Sequence, residues 1–131
     1  MPSVNRVVLL GHLGRDAELR FTPSGKSVLN FSVATSDKWK NANGEPQERT
    51  EWTNVVYWGK MAESVAPLLR KGSLAYVEGQ KETRSYKAKD GTDKTAVEVK
   101  ASLVLECRWR GEVEPERGQQ TAPYDDTDGG F

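Results

Sequence analysis

Two tryptophans six residues apart, in Glu51-Trp52-Thr53-Asn54-Val55-Val56-Tyr57-Trp58-Gly59, are the strongest candidates for chemistry in this chain. In a strand, Trp52, Asn54, Val56 and Trp58 share one face, and Thr53, Val55 and Tyr57 share the other. One face must be core, and the other is then a platform. Asn54 between the tryptophans favours exposure of their face; the alternative buries the tryptophans and leaves Tyr57 outside. Two such rings, roughly 20 Å apart at ~3.3 Å per residue, could each stack on a base of one extended strand. Trp39 stands between Lys38 and Lys40, and Tyr86 follows Arg84 and precedes Lys87 and Lys89. Aromatics among cations at two separate loops weigh against a merely solvated surface. Stacking of this kind tolerates any base sequence, because every base has a π-face. Cations supply most of the affinity and make it salt-sensitive.

Other chemistries are poorly served. His12 is the only histidine and Cys107 the only cysteine. No His/Cys metal cluster can be built from them, and a Cys/His nucleophile pair would need both. His12 reads as a packed or rim residue and Cys107 as a small core residue. Asp16 and Glu18 are close enough to suggest a nuclease carboxylate pair, but Arg15 and Arg20 flank them in a turn, which reads as surface charge. No catalytic residue, metal or cofactor is expected.

The zero net charge hides an asymmetry. Residues 1–110 hold 18 Lys+Arg against 13 Asp+Glu, whereas residues 111–131 hold 1 Arg against 6 acids. A basic body suggests a polyanionic ligand. An acidic tail could occupy the same surface or serve as bait for another protein. No apolar run approaches the roughly 20 residues of a membrane span, and Val7–Leu10 is too short for a signal-peptide core. The chain is expected to stay in the cytoplasm.

The elements that would position these residues follow from periodicity. Residues 4–13 read as a strand buried on both faces at its centre, bent by Gly11 and Gly14. Residues 27–35 alternate, with Leu29, Phe31 and Val33 on one face, and residues 40–50 read as a polar loop turning at Asn43-Gly44. Residues 51–58 form a third strand. Residues 60–71 read as a short helix, stopped by Gly72 and kinked or confined by Pro67. Residues 74–83 and 95–107 are strands, the last with Val97, Val99, Ala101, Leu103, Leu105 and Cys107 on one face. Between them Ser85–Lys94 should project as a β-ribbon around Asp90-Gly91. Three strands, a helix and two strands is the plan of the OB-fold, an all-β five-stranded Greek-key barrel with its helix between strands 3 and 4. Residues 1–110 would form this domain. Residues 111–131, without apolar content for a core, would form a disordered linker and acidic tip.

Several segments resemble bacterial-type single-stranded DNA-binding proteins. They are Val4-Asn5-Arg6-Val7-Val8-Leu9-Leu10-Gly11-His12-Leu13-Gly14-Arg15-Asp16, Glu18-Leu19-Arg20-Phe21, Phe31–Ser36 with Trp39, Thr50–Trp52, Val55–Lys60, Leu69–Ser73 and Val77–Gln80. The resemblance implies a homotetramer that wraps single-stranded DNA without catalysis. It assigns stacking to Trp39, Trp52, Trp58 and Tyr86, and phosphate contacts to Arg6, Arg20, Lys60, Arg70, Lys71 and Arg84. Position 58 is commonly Phe in the family and position 86 commonly Trp, so both departures keep an aromatic. Asp125, Asp126, Asp128 and Phe131 resemble the family's partner-docking tip for proteins of replication, recombination and repair. Gly129-Gly130 replace its stiffer apolar-Pro step, which implies weaker docking.

Overall fold

Alternation of apolar and polar side chains folds the chain into six strands and one short helix. The elements are β1 (Val7–Leu13), β2 (Glu18–Phe21), β3 (Ser27–Lys40), β4 (Pro46–Trp58), α1 (Lys60–Val65), β5 (Leu74–Lys87) and β6 (Asp93–Cys107). The computed structural model describes residues 1–108; the boundary after residue 110 and the segment 111–131 lie outside the described residues. β1 and β2 are two halves of one interrupted strand. Leu13 pairs with Val33, and Glu18 to Phe21 continue along β3 opposite Asn30 to Ser27. Counted so, this is the five-stranded barrel the element order predicts. The sheet runs β1-β5-β6-β4-β3-β2 and closes through the β1–β3 pairing. All neighbours are antiparallel except β4 and β6, which run parallel through Val55↔Val99, Val56↔Lys100 and Tyr57↔Ala101.

Leu29, Val33, Val55, Leu69, Ala75 and Val77 lie at the centre of the core, each with no more than 1% of its surface exposed. Leu29, Phe31 and Val33 occupy the inner face of β3 as their spacing predicts. The helix is shorter than expected. α1 ends at Val65, and Ala66–Leu68 tighten into a 3-10 turn with Pro67 at its start. Proline is tolerated there because the first amides of a helical turn have no internal partner. Leu69 then leaves in an extended conformation and plugs the barrel.

Four further expectations are corrected. β1 is buried on one face only, with Val8 51% and Leu10 56% exposed on the other. The segment 40–50 is mostly strand: β3 and β4 stay paired out to Lys40↔Pro46, and only the Asn41–Glu45 turn is loop. β6 does not keep one apolar face. Gly79 lies opposite Ala101 and Glu78 opposite Leu103, so Ser102 is an extra residue, a β-bulge whose hydroxyl donates to the Glu78 carbonyl at 3.2 Å. The bulge reverses the alternation. Val99 and Val104 both point inward, whereas Leu105 is 48% exposed. Val97 is also exposed because it lies on the projecting ribbon, opposite Thr83 and beyond the core. Cys107 is half-buried at the end of β6 rather than in the core, and His12 is exposed.

The β5–β6 ribbon forms as predicted, paired to Lys87↔Asp93. The Asp90 carboxylate accepts from the Thr92 hydroxyl and amide in its turn, at 2.7 and 3.0 Å, which holds its pKa below the usual aspartate value.

Barrel closure requires two residues without a Cβ. A Cβ at Gly11 would overlap the Ala34 carbonyl oxygen, and one at Gly79 the Lys100 carbonyl oxygen. Gly11 sits where β1 passes from pairing with β5 to pairing with β3. Gly11→Ala should therefore cost about 1–3 kcal/mol through overpacking against backbone that cannot retreat. Thermal unfolding checks this; an unchanged melting temperature would show that the corner is not tight.

Candidate nucleic-acid interface

The two faces of β4 have opposite fates. Val55 and Tyr57 are core, at 1% and 5% exposure, and Trp52 and Trp58 are left outside at 56% and 42%. The tryptophan face is the outer one, as Asn54 suggests. Asn54 itself bridges strands, accepting from the Ser32 hydroxyl at 2.9 Å. The ring of Trp52 lies over Gly14, where a Cβ would come within 2.7 Å of its Cζ3 and Cη2 atoms. Its partner across the ladder is small, Ala34. The ring therefore rests on backbone rather than among side chains, and its outer face stays open.

Two adjoining hollows cross this outer surface. The first is lined by Arg15, Ser32, Asn54, Arg84, Tyr86 and Glu98, among others. The second includes Asn30, Val56, Trp58, Arg84, Glu98 and Lys100. Arg84 and Glu98 border both. Trp58 and Tyr86 thus border one continuous surface over β3, β4, β5 and β6, and Trp52 stands at its edge, two residues from Asn54 on the same face of β4. Tyr86 is 42% exposed, and the Arg84 guanidinium lies 5.4 Å from its ring centroid, within cation–π range.

Trp39 stands apart. It is 48% exposed on the outer part of β3, opposite Gln47. By alternation it shares the side of Leu29, Phe31 and Val33, on a stretch that has left the core behind. Its surroundings are Lys38, Lys40, Pro46, Gln47 and Glu48. The structure therefore gathers three of the four predicted aromatics and places the fourth on the other face of a projecting hairpin.

The six predicted cations separate likewise. Arg20 pairs with Val28, which pairs with Trp58, so it flanks the second hollow; it also bonds Glu18 at 3.1 Å. Lys60 opens α1 and lines a further depression with Trp58 and Lys26. Arg84 is bonded to Glu98 at 3.1 Å, which raises its pKa chiefly through that hydrogen bond and keeps it charged. Arg70 and Lys71 occupy the turn after the 3-10 segment, and the Lys71 amide donates to Asp16 Oδ1 at 2.8 Å. Lys60, Arg70 and Lys71 have no ion-pair partner among the described residues. Arg6 lies elsewhere. It bonds Glu78 at 3.2 Å in a hollow with Asn5, Gln80 and Ser102, while Glu78 also accepts from the Tyr76 hydroxyl and raises its pKa.

Sequence reasoning did not single out Glu98, Lys100 or Arg15 for this surface. The polar half of β6 carried a signal for the first two, since Glu98 and Lys100 alternate with Val97, Val99 and Ala101. Only the parallel β4–β6 register places them beside the tryptophan strand. Asp16 and Glu18 are occupied by Lys71 and Arg20, and among the described residues no three His, Cys, Asp or Glu side chains converge as a metal site. No described helix is long and apolar enough to cross a membrane. Asp125, Asp126, Asp128 and Phe131 lie outside the described residues.

The family model for the single-strand binding protein family matches residues 4–106. The chain is 43% identical over 124 residues to proteins named single-stranded DNA-binding protein from Neisseria meningitidis serogroups A and B, covering 95% of this chain and 68% of theirs. Among solved structures, a deletion mutant of the single-stranded DNA binding protein from Thermus aquaticus superposes with a TM-score of 0.73 at 31% identity, over 82% of this chain and 52% of that one. The Plasmodium falciparum protein in complex with single-stranded DNA superposes at 0.74 and 25% identity, over 82% of this chain and 98% of that one. With its barrel, its outward tryptophans and these relatives in agreement, the chain belongs to the single-strand binding protein family.

Proposed function

We propose that this protein binds single-stranded DNA without regard to sequence, as a non-catalytic cover for exposed strands during replication, recombination and repair in a bacterial cytoplasm. The observation that carries the reading is the outward pair Trp52 and Trp58, separated by the Ser32–Asn54 bridge and bordered by Arg20, Lys60, Arg84 and Lys100. Bases stack on the rings while cations meet the backbone. Tyr86 extends the track along the β5–β6 ribbon, and Trp39, on the other face of the β3–β4 hairpin, meets a strand that passes round that hairpin. Arg70 and Lys71 supply further phosphate contacts, and Arg6, tied to Glu78, contributes least. The relatives' names and the bound strand in the Plasmodium structure support the same ligand.

Tryptophan fluorescence titrated with oligothymidine and with duplex DNA tests this directly. Single strands should bind more tightly, with log affinity falling by about 0.7 per log unit of salt for each phosphate neutralised. Equal affinity for the duplex would sink the reading. Trp52→Ala and Trp58→Ala should each weaken binding by about 1–3 kcal/mol, the range found by alanine substitution in single-strand binders of this kind. Their melting temperatures should change little, because both rings lie outside the core. If neither substitution moves the affinity, the platform is wrong.

We also infer a homotetramer. Leu10, Tyr76 and Leu105 form a row across β1, β5 and β6, and Val8, Glu78 and Leu103 form the next. An exposed apolar band of this kind on a sheet face suits burial against another copy. Leu10→Asp should reduce the mass seen by light scattering, whereas an unaltered mass would place the interface elsewhere. The acidic tip is proposed, on its charge and its family resemblance, to dock replication, recombination and repair proteins. Deleting 125–131 should abolish capture of such proteins and leave the oligomer intact; undiminished capture would refute the role.

A further inference from the structure

Glu98 is an unexpected neighbour for a phosphate backbone. It faces both hollows of the interface, and its side chain is only 12% exposed, against 55% for Arg84. Enclosing a carboxylate costs solvation, and its charge opposes that of an approaching phosphate. Its contacts show what offsets this. Oε1 accepts from Arg84 Nε at 3.1 Å and Oε2 from Nη2 at 3.5 Å. The same guanidinium sits 5.4 Å from the Tyr86 centroid. Acid, guanidinium and ring form one connected stack along the β5–β6 ribbon, running outward from Glu98 to Tyr86, which is paired with Lys94 near the turn.

Building on the single-strand reading, we propose that Glu98 is a positioning residue: it holds Arg84 against one face of Tyr86, leaving the opposite face for a base and the outer guanidinium edge for the adjoining phosphate. The guanidinium is a rigid fork with five N–H donors. Glu98 occupies the Nε edge, and the edge formed by Nη1 and the second Nη2 proton remains available. A long side chain held in this way loses less rotamer freedom when it meets the phosphate. The ring loses less as well, because one of its faces is already covered. Arg84 thus acts as a contact already in place, with the acid as its support.

The alternative is that Glu98 only neutralises Arg84 and competes with phosphate. The two roles differ in the sign of one measurement. Affinity for oligothymidine is measured over a range of salt for the full chain and for Glu98→Gln, Tyr86→Ala and the double variant, with melting temperature as the fold check. Positioning predicts that Glu98→Gln weakens binding by on the order of five- to tenfold, although it removes a negative charge. It also predicts that the salt slope falls by about 0.7, as one phosphate contact is lost. Tyr86→Ala should then cost less in the Glu98→Gln background than alone. Tighter or unchanged binding by Glu98→Gln, or losses that simply add, would overturn the proposal. Arg84→Lys provides a second arm that leaves the acid in place: lysine keeps the charge but lacks the fork, so a comparable loss is expected and wild-type affinity overturns the proposal. If the unmodified chain fails to prefer oligothymidine over duplex, the single-strand reading goes, and this role with it.

Discussion

A strand in a closed barrel has two faces and one of them is committed to the core. That constraint, applied to β4, organises the rest of this molecule. Val55 and Tyr57 fill the interior, and strict alternation leaves Trp52 and Trp58 on the outside. Among the described residues their neighbours cover them only in part, because the barrel wall is a single sheet. Closure itself depends on strands approaching closely at Gly11 and Gly79, where any Cβ would strike a carbonyl. The same economy of volume recurs at Gly14, whose missing side chain lets the Trp52 ring lie on the backbone. Small residues at crossings thus close the barrel and present flat apolar surface on its exterior.

The electrostatics of that exterior are more balanced than the composition suggests. Arg20, Arg84 and Arg6 each hold an acid, Glu18, Glu98 and Glu78 respectively. Pairs between exposed groups are worth little in stability, so Arg20–Glu18 exchanges partners at small cost. Glu98 and Glu78 are more enclosed and constrain their arginines in direction as well as charge. The net positive charge of residues 1–110 is therefore carried at the interface by cations without an ion-pair partner among the described residues, such as Lys60, Lys100, Arg15 and Arg70, while the paired arginines provide geometry.

Much of this was legible in the residues. The face of β4, the inner set of β3, the β5–β6 ribbon, the disturbance at Pro67 and the order of elements all follow from local periodicity and turn chemistry. What was not legible depends on register or on length. Val8 and Leu10 read as core because apolar residues on both faces of a strand usually are, yet among the described residues nothing covers them. Trp39 reads as a loop residue because it leads into a stretch rich in Asn, Gly and Glu, yet hairpin pairing carries β3 out to Lys40. Its side of the ribbon follows from counting alternation from Phe31 once the strand is known to be unbroken. The partners of Arg6 and Arg84 could not be read, since Glu78 and Glu98 arrive from pairings set elsewhere in the barrel, whereas Glu18 stands two residues before Arg20 on the same strand.

The extra residue at Ser102 has a wider meaning. It shifts the phase of β6 by one, so that the strand's two halves serve different masters. Before it, Glu98 and Lys100 face the tryptophan side; after it, Leu103 and Leu105 turn to the exposed apolar band beside β1. A continuous strand would have sent those leucines inward and starved that band. Because the phase changes between them, the two surfaces are separately tunable: a substitution before the bulge alters what the groove accepts, and one after it alters what the outer wall meets, with neither obliging the other to change.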